Sequence, residues 1–269
     1  MYTSLKLATQ KVLILVYNLA FSSGFVGTRL GRFLYKHSYF FYKRHLEAGS
    51  VKQLRKLVEP GSWVVDVGAN IGFFSVLFCQ WISDGGQLIA LEPEPRNYAM
   101  LLNNVKKWQQ QGKIETLALA ADSFDGVGKL VLNPAHPGDH RLGDYGLDVS
   151  TVTLDTVLAQ RNWPSVALIK VDVQGAEMRV LSGAVKTLER LSPAFFVEMD
   201  ECALAQFASS SRSIFSFFAA ADYTAHALEK QRISAPLDLA AIAQLANSHS
   251  YTDILFLPPR LRQNLLGPG

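Results

Sequence analysis

The stretch Trp63-Val-Val-Asp-Val-Gly-Ala-Asn-Ile-Gly72 decides the reading of this chain. An apolar run, Trp63 to Val67, has the length and bulk of a buried parallel strand. It contains an acid, Asp66, and runs into a turn from Gly68 to Gly72 where Cβ atoms are sparse. Phe73 to Ile82 then reads as a helix, so the order is strand, glycine turn, helix, as in nucleotide-binding α/β domains. The glycines are too few for a dinucleotide fingerprint, which needs Gly-x-Gly-x-x-Gly; position 70 is Asn. Asp66 would repel a pyrophosphate at this place and suits a ligand carrying an amino group or a sulfonium.

The next unit supplies the second half of a binding site. Gln87 to Leu91 reads as a strand with Glu92 at its carboxyl end, where an acid accepts hydrogen bonds from both hydroxyls of a ribose. Pro93 and Pro95 stop the strand, and Arg96 to Gln110 reads as a helix with Tyr98, Leu101, Leu102 and Val105 inward. Ile114 to Ala120 alternates as a third strand, and three such units imply a parallel sheet.

With Asp66-Val-Gly-Ala-Asn-Ile-Gly72 followed by Leu91-Glu-Pro93, the chain resembles class I S-adenosylmethionine-dependent methyltransferases. Ile169-Lys-Val-Asp-Val-Gln-Gly-Ala-Glu177 narrows the resemblance to the FkbM family, over about residues 58 to 257. The family pattern has Glu where this chain has Gln174, which keeps hydrogen bonding and removes charge. The resemblance implies a Rossmann-like, doubly wound α/β fold with a seven-stranded sheet, mostly parallel with one antiparallel strand. It also implies S-adenosyl-L-methionine as cofactor, and O-methylation of a hydroxyl on a sugar, glycolipid or natural product. On that basis Asp66, Gly68, Ala69, Asn70 and Gly72 hold the methionine part, Glu92 and Pro93 the ribose, and Asp122 the adenine edge.

Further along, Gly128 to Leu132 and Asp148 to Thr153 read as two antiparallel strands joined by a loop rich in Pro, Gly, Asp and His. Residues 128–150 thus form a hairpin or lid insertion in a domain spanning 51–260. Val152 to Gln160 reads as a helix capped by Thr153, Val166 to Val171 as a buried strand, Glu177 to Arg190 as one helix, and Ala194 to Met199 as another strand. Tyr223 to Leu228 and Asp253 to Leu257 complete the sheet.

Asp66, Glu92, Asp172 and Glu198 each fall at or near a strand end, the rim where open α/β sheets bind ligands. Methyl transfer requires a nucleophile in line and an acceptor for its proton. Asp172 is the first candidate for that acceptor, and Lys170, on the same face, is placed to hold it. His140 is the rival base. His136, Arg141 and Glu198 are candidate acceptor-binding residues, in a loop and strand end that carry specificity on a rigid scaffold. No His or Cys spacing specifies a metal. A magnesium variant with Asp172 and Glu198 as oxygen ligands lacks a third ligand.

The 269 residues, 49% of them hydrophobic, suffice for one full core. A net charge of +3 with no basic platform argues against nucleic acid. The two cysteines make no disulfide framework. Residues 1–50 read as a helical extension, and Val12 to Val26 is too polar to cross a bilayer. Phe33 to Phe41 mixes aromatic and basic residues, which suits packing on the domain or lying on a membrane surface. The expected location is cytoplasmic, with peripheral membrane contact through that segment left open. Two other functions compete: a nicotinamide-dependent oxidoreductase, opposed by Asn70, and a non-catalytic domain that binds S-adenosylmethionine.

Overall fold

The computed structural model describes residues 51–133, 140–229, 231–248 and 252–266. The N-terminal extension, including Phe33 to Phe41, lies outside them, as does His136. Among the described residues the strands are β1 (Trp63–Val67), β2 (Leu88–Leu91), β3 (Ile114–Leu117), β4 (Ala120–Ala121), β5 (Gly126–Val131), β6 (Arg141–Gly143), β7 (Leu147–Val152), β8 (Val166–Val171), β9 (Ala194–Met199), β10 (Thr224–Ala227) and β11 (Thr252–Leu257). The helices are α1 (Phe73–Cys79), α2 (Pro95–Gln110), α3 (Leu154–Ala159), α4 (Glu177–Ser182), α5 (Val185–Leu191), α6 (Glu201–Ala205), α7 (Ser211–Ala220), α8 (Leu239–Ser248) and α9 (Pro259–Leu266).

Seven strands form the main sheet in the order β10-β11-β9-β8-β1-β2-β3. The pairs from β9 to β3 are parallel, and β11 runs antiparallel to both β9 and β10. Chain order reverses between β1 and β8, which opens a crevice at the carboxyl ends of those two strands. Both faces of the sheet are covered, so its strands are apolar on both sides. In β1, Val65 and Val67 join the core on the side of α3, α4 and α7, while Val64 joins the core on the side of α1 and α2. Asp66 alternates with Val65 and Val67 and so lies on the α1 side.

The sequence expectations shift at three places. The third strand ends at Leu117, and Ala120–Ala121 leaves the main sheet to pair in parallel with β7. No helix therefore follows β3, and the count of three βα units becomes two. The loop after β5 holds β6, which pairs with β5 through Leu130 and Leu142, so a four-stranded sheet, β4-β7-β5-β6, replaces the expected hairpin. A strand of three residues with one inward apolar side chain is too short to announce itself by periodicity. The expected helix from Glu177 to Arg190 is two helices. Asp155 N–H takes the Gly183 carbonyl at 3.0 Å, and the Asp155 carboxylate caps Lys186 and Thr187 N–H at 3.0 and 2.7 Å, so α5 starts afresh.

The turn after β1 is held by close backbone packing. Gly68 has φ +73°, and a Cβ there would stand 1.8 Å from the Asp172 carbonyl oxygen. Only glycine permits that contact between the β1 and β8 strand ends. Asn70 adopts the left-handed region at φ 51° and uses its side-chain oxygen to accept Ile71 N–H at 2.7 Å, the local bonding that makes Asn tolerable there. Gly68→Ala is therefore expected to destabilise the protein by about 2 kcal/mol or more in urea unfolding. Gly85→Ala, also at positive φ but with nothing within 4 Å of the new Cβ, is the control and should cost about 1 kcal/mol.

Candidate active site

The crevice between the two sheets is lined on the main-sheet side by Gly68, Asn70, Leu91, Glu92, Asp172 and Gln174. Leu119, Ala120, Ala121, Leu130, His140 and Arg141 form the opposing wall, part of it on the small sheet. The first wall carries carboxylates and turn backbone, and the second is mostly apolar with His140 and Arg141 beside it. A smaller cleft on the α1 side of the sheet contains Phe74, Lys170, Asp172, Phe196, Glu198 and Asp253. Asp172 belongs to both.

Glu92 ends β2 and is buried. Its Oε2 accepts Asn70 N–H at 2.8 Å and its Oε1 accepts Glu94 N–H at 2.9 Å. One carboxylate therefore ties the glycine turn to the start of α2. Each oxygen keeps a second lone pair for a ligand hydroxyl. Burial raises its pKa to about 7, against the pull of those two amides.

Lys170 is buried between carboxylates. Its Nζ lies 3.4 Å from Asp66 Oδ1, 3.2 Å from Asp172 Oδ2 and 3.3 Å from the Gly68 carbonyl, and 4.9 Å above the Phe74 ring. Burial alone would lower its pKa, but Asp172, Asp66 and Glu198 outweigh it and hold the ammonium charged. Asp66 is fully buried and accepts the Ser75 hydroxyl at 2.6 Å, so it ties β1 to α1 and counters Lys170. It does not line the crevice.

Gln174 has φ 56° and projects one amide nitrogen between two acids, donating to Asp172 Oδ1 and Glu198 Oε2, both at 3.0 Å. A glutamate here would set three carboxylates together. Asp172 thus receives Lys170 on one oxygen and Gln174 on the other, two contacts that fix its direction.

The remaining expected residues divide clearly. Gly68, Asn70, Glu92, Pro93, Asp172, His140 and Arg141 come together around the crevice, and Lys170 and Glu198 line the smaller cleft. Ala69 is buried beneath the turn, and Gly72 faces Leu101 of α2, so both shape the loop without lining the crevice. Asp122 was expected at the adenine edge. Its carboxylate is fully buried and taken by Arg179, through Nε at 2.8 Å and Nη2 at 2.5 Å, and it does not line the crevice. The residues beside the crevice at that point are Ala120 and Ala121. His140 accepts Asn133 N–H on Nδ1 at 3.0 Å, a bond that in a neutral ring goes with the proton on Nε2.

Sequence reasoning missed Ser75, Glu177 and the Asp122–Arg179 pair. Glu177 was visible only as part of a motif. No local pattern marks the other contacts: Arg179 lies 57 residues beyond Asp122, and Ser75 meets Asp66 only once α1 folds back on β1.

The chain matches the model of the methyltransferase FkbM domain over residues 66–225. It is 29% identical over 160 residues to 31-O-demethyl-FK506 methyltransferase FkbM of Streptomyces tacrolimicus, covering 47% of this chain and 60% of that protein. It is 26% identical over 148 residues to hexuronic acid methyltransferase AglP of Haloferax volcanii, covering 54% and 59%. Each matched region spans about 60% of the curated relative's length. Among solved structures, methyltransferase FkbM from Methylobacillus flagellatus KT aligns with a TM-score of 0.45 at 16% identity, covering 74% of this chain and 44% of that one.

Glu92 and Glu177, both raised to about 7, set a pH dependence. An unfolded glutamate loses its proton near 4.5, whereas these keep theirs to about 7, so the native state binds more protons between those values. Stability then falls as pH rises through that window. Tm is expected to drop between pH 5 and pH 8, and to drop less in Glu92→Gln; an identical drop in the variant would refute this assignment. Reading the turn, the strand-end acids and the matched domain together, the chain belongs to the FkbM methyltransferase family.

Proposed function

We propose that the protein is an S-adenosylmethionine-dependent O-methyltransferase that acts on a ring hydroxyl of a sugar or related natural product. The observation that carries this reading is Glu92, a buried strand-end acid whose two oxygens hold the turn and keep lone pairs for a diol. The residues fit the cofactor. Gly68 and Asn70 line the crevice at the turn, Glu92 takes the ribose hydroxyls, and Leu91, Leu119, Ala120 and Ala121 offer an apolar slot for a flat base. Nothing here matches the third glycine a pyrophosphate requires.

When bound, S-adenosylmethionine supplies an electrophilic methyl group on a sulfonium. Asp172 is positioned by Lys170 and Gln174 at the meeting of the two clefts, where it accepts a hydrogen bond from the acceptor hydroxyl. As the new carbon–oxygen bond forms, that hydroxyl becomes strongly acidic, so a carboxylate held by two donors is still basic enough to take the proton. His140 is the weaker choice, because its one basic nitrogen in the neutral ring already accepts Asn133 N–H. It serves better as a donor to the acceptor. Glu198, joined to Asp172 through Gln174, extends the acceptor side. We place Asp66 beneath the site as the counter-charge of Lys170.

Two relatives support this choice of acceptor class, one named for 31-O-demethyl-FK506 and one for hexuronic acid. The test is incorporation of labelled methyl into methyl β-D-glucuronide and into 31-O-demethyl-FK506. Asp172→Asn should bind S-adenosylhomocysteine within about threefold of wild type yet lose transfer by roughly 100-fold or more. Transfer at the wild-type rate in that variant would remove Asp172 from the role of base.

A further inference from the structure

The Asp172–Gln174–Glu198 bridge depends on a loop held at left-handed φ, and the buried contact that holds this loop comes from a residue outside the cofactor and acceptor sets. Glu177, the first residue of α4, is almost wholly buried. Its Oε1 accepts both Val173 N–H and Gly175 N–H at 3.1 Å, the two amides that flank Gln174. Its Oε2 has no hydrogen bond among the described residues, so the carboxylate is committed to the loop through one oxygen. On the far side the loop has no slack. Gly175 lies at φ +102°, and a Cβ there would meet the Ala203 carbonyl oxygen of α6 at 2.4 Å.

Gln174, between the two clamped amides, is left with one backbone setting. That setting aims its side-chain nitrogen at both Asp172 and Glu198. Without the clamp, two buried amides would lose their acceptor, which destabilises the loop as it stands, and Gln174 would relax from positive φ toward ordinary backbone angles, which is favourable for a non-glycine. The bridge would open while Lys170, Asp66 and Glu92, held by other elements, stayed in place.

We infer that Glu177 is a positioning residue for the proposed methyl transfer, acting through the Gln174 amide to set the direction of the Asp172 and Glu198 carboxylates. This inference rests on the reading of Asp172 as the proton acceptor. The role is distinct from folding alone, because the clamp's product is one side-chain orientation.

The experiment follows the Gln174 side-chain amide by nitrogen–proton correlation NMR of the full chain, with Gln174→Ala assigning the signal. In wild type both amide protons, each bonded to a carboxylate, should resonate downfield and exchange slowly. Glu177→Ala should move them to the positions of a free amide, lower kcat for methyl transfer to methyl β-D-glucuronide about tenfold or more, and leave S-adenosylhomocysteine affinity within about threefold. Glu177→Gln, whose carbonyl oxygen still accepts both amides, should restore the signal and most of kcat.

An unchanged Gln174 signal in a folded Glu177→Ala protein would overturn the inference. So would loss of cofactor affinity in step with kcat, which marks a general structural role, or failure of Glu177→Gln to recover either readout. Asp172→Asn, assayed in parallel, separates the two levels of the argument. Full transfer in that variant defeats the reading of Asp172 while the NMR result still judges the clamp, and an inactive Asp172→Asn with a fully active Glu177→Ala defeats the clamp alone.

Discussion

The buried ammonium of Lys170 is the contact on which the site depends. It stands between Asp66 on β1 and Asp172 at the end of β8, 3.4 and 3.2 Å from their oxygens, and it also reaches the Gly68 carbonyl. Two carboxylates on adjacent strands would repel each other in a dry interior. With the cation between them the two strand ends close up, near enough for the Asp172 carbonyl to occupy the space where Gly68 has no Cβ. Removing Lys170 would leave the two carboxylates uncompensated, a loss of roughly 3–5 kcal/mol by the usual cost of breaking a buried pair. The charge network thus fixes the glycine turn from below, while Glu92 fixes it from the side.

The molecule divides its tasks between two sheets. The main sheet supplies the acids at or near its strand ends, Glu92 held by two backbone amides, Asp66 by Ser75 and Lys170, Asp172 by Lys170 and Gln174, and Glu198 by Gln174. The small sheet supplies the apolar wall, with Leu130 and Leu142 inward and His140 and Arg141 beside the crevice. That wall lies on an element that packs on the fold without belonging to its main sheet.

Much of the fold was legible because parallel strands covered on both faces must be apolar throughout. β1, β8 and β9 carry bounds identical to those read from the apolar runs. Glu92 was legible for a related reason, since an acid directly after such a run has only the strand end to occupy. Asp122 looked equivalent, yet Arg179, more than fifty residues on in the chain, claims its carboxylate. Local pattern carries no information about such a partner. The break at Gly183 was hidden in the same way, because the capping group of α5 is Asp155 on another helix. Gln174 was noticed as a missing charge, but its use as a two-way donor between Asp172 and Glu198 appears only once β8 and β9 are laid side by side.

The account stands on Glu92 and the glycine turn as a site for S-adenosylmethionine. Its most direct test is a calorimetric titration of S-adenosylmethionine, S-adenosylhomocysteine and NAD into the protein, repeated on Glu92→Ala. The account predicts binding of the first two in the micromolar range, no heat from NAD, and loss of binding in the variant by roughly tenfold or more as the ribose contacts disappear. Binding of NAD, or S-adenosylmethionine affinity that survives the loss of Glu92 unchanged, would contradict it.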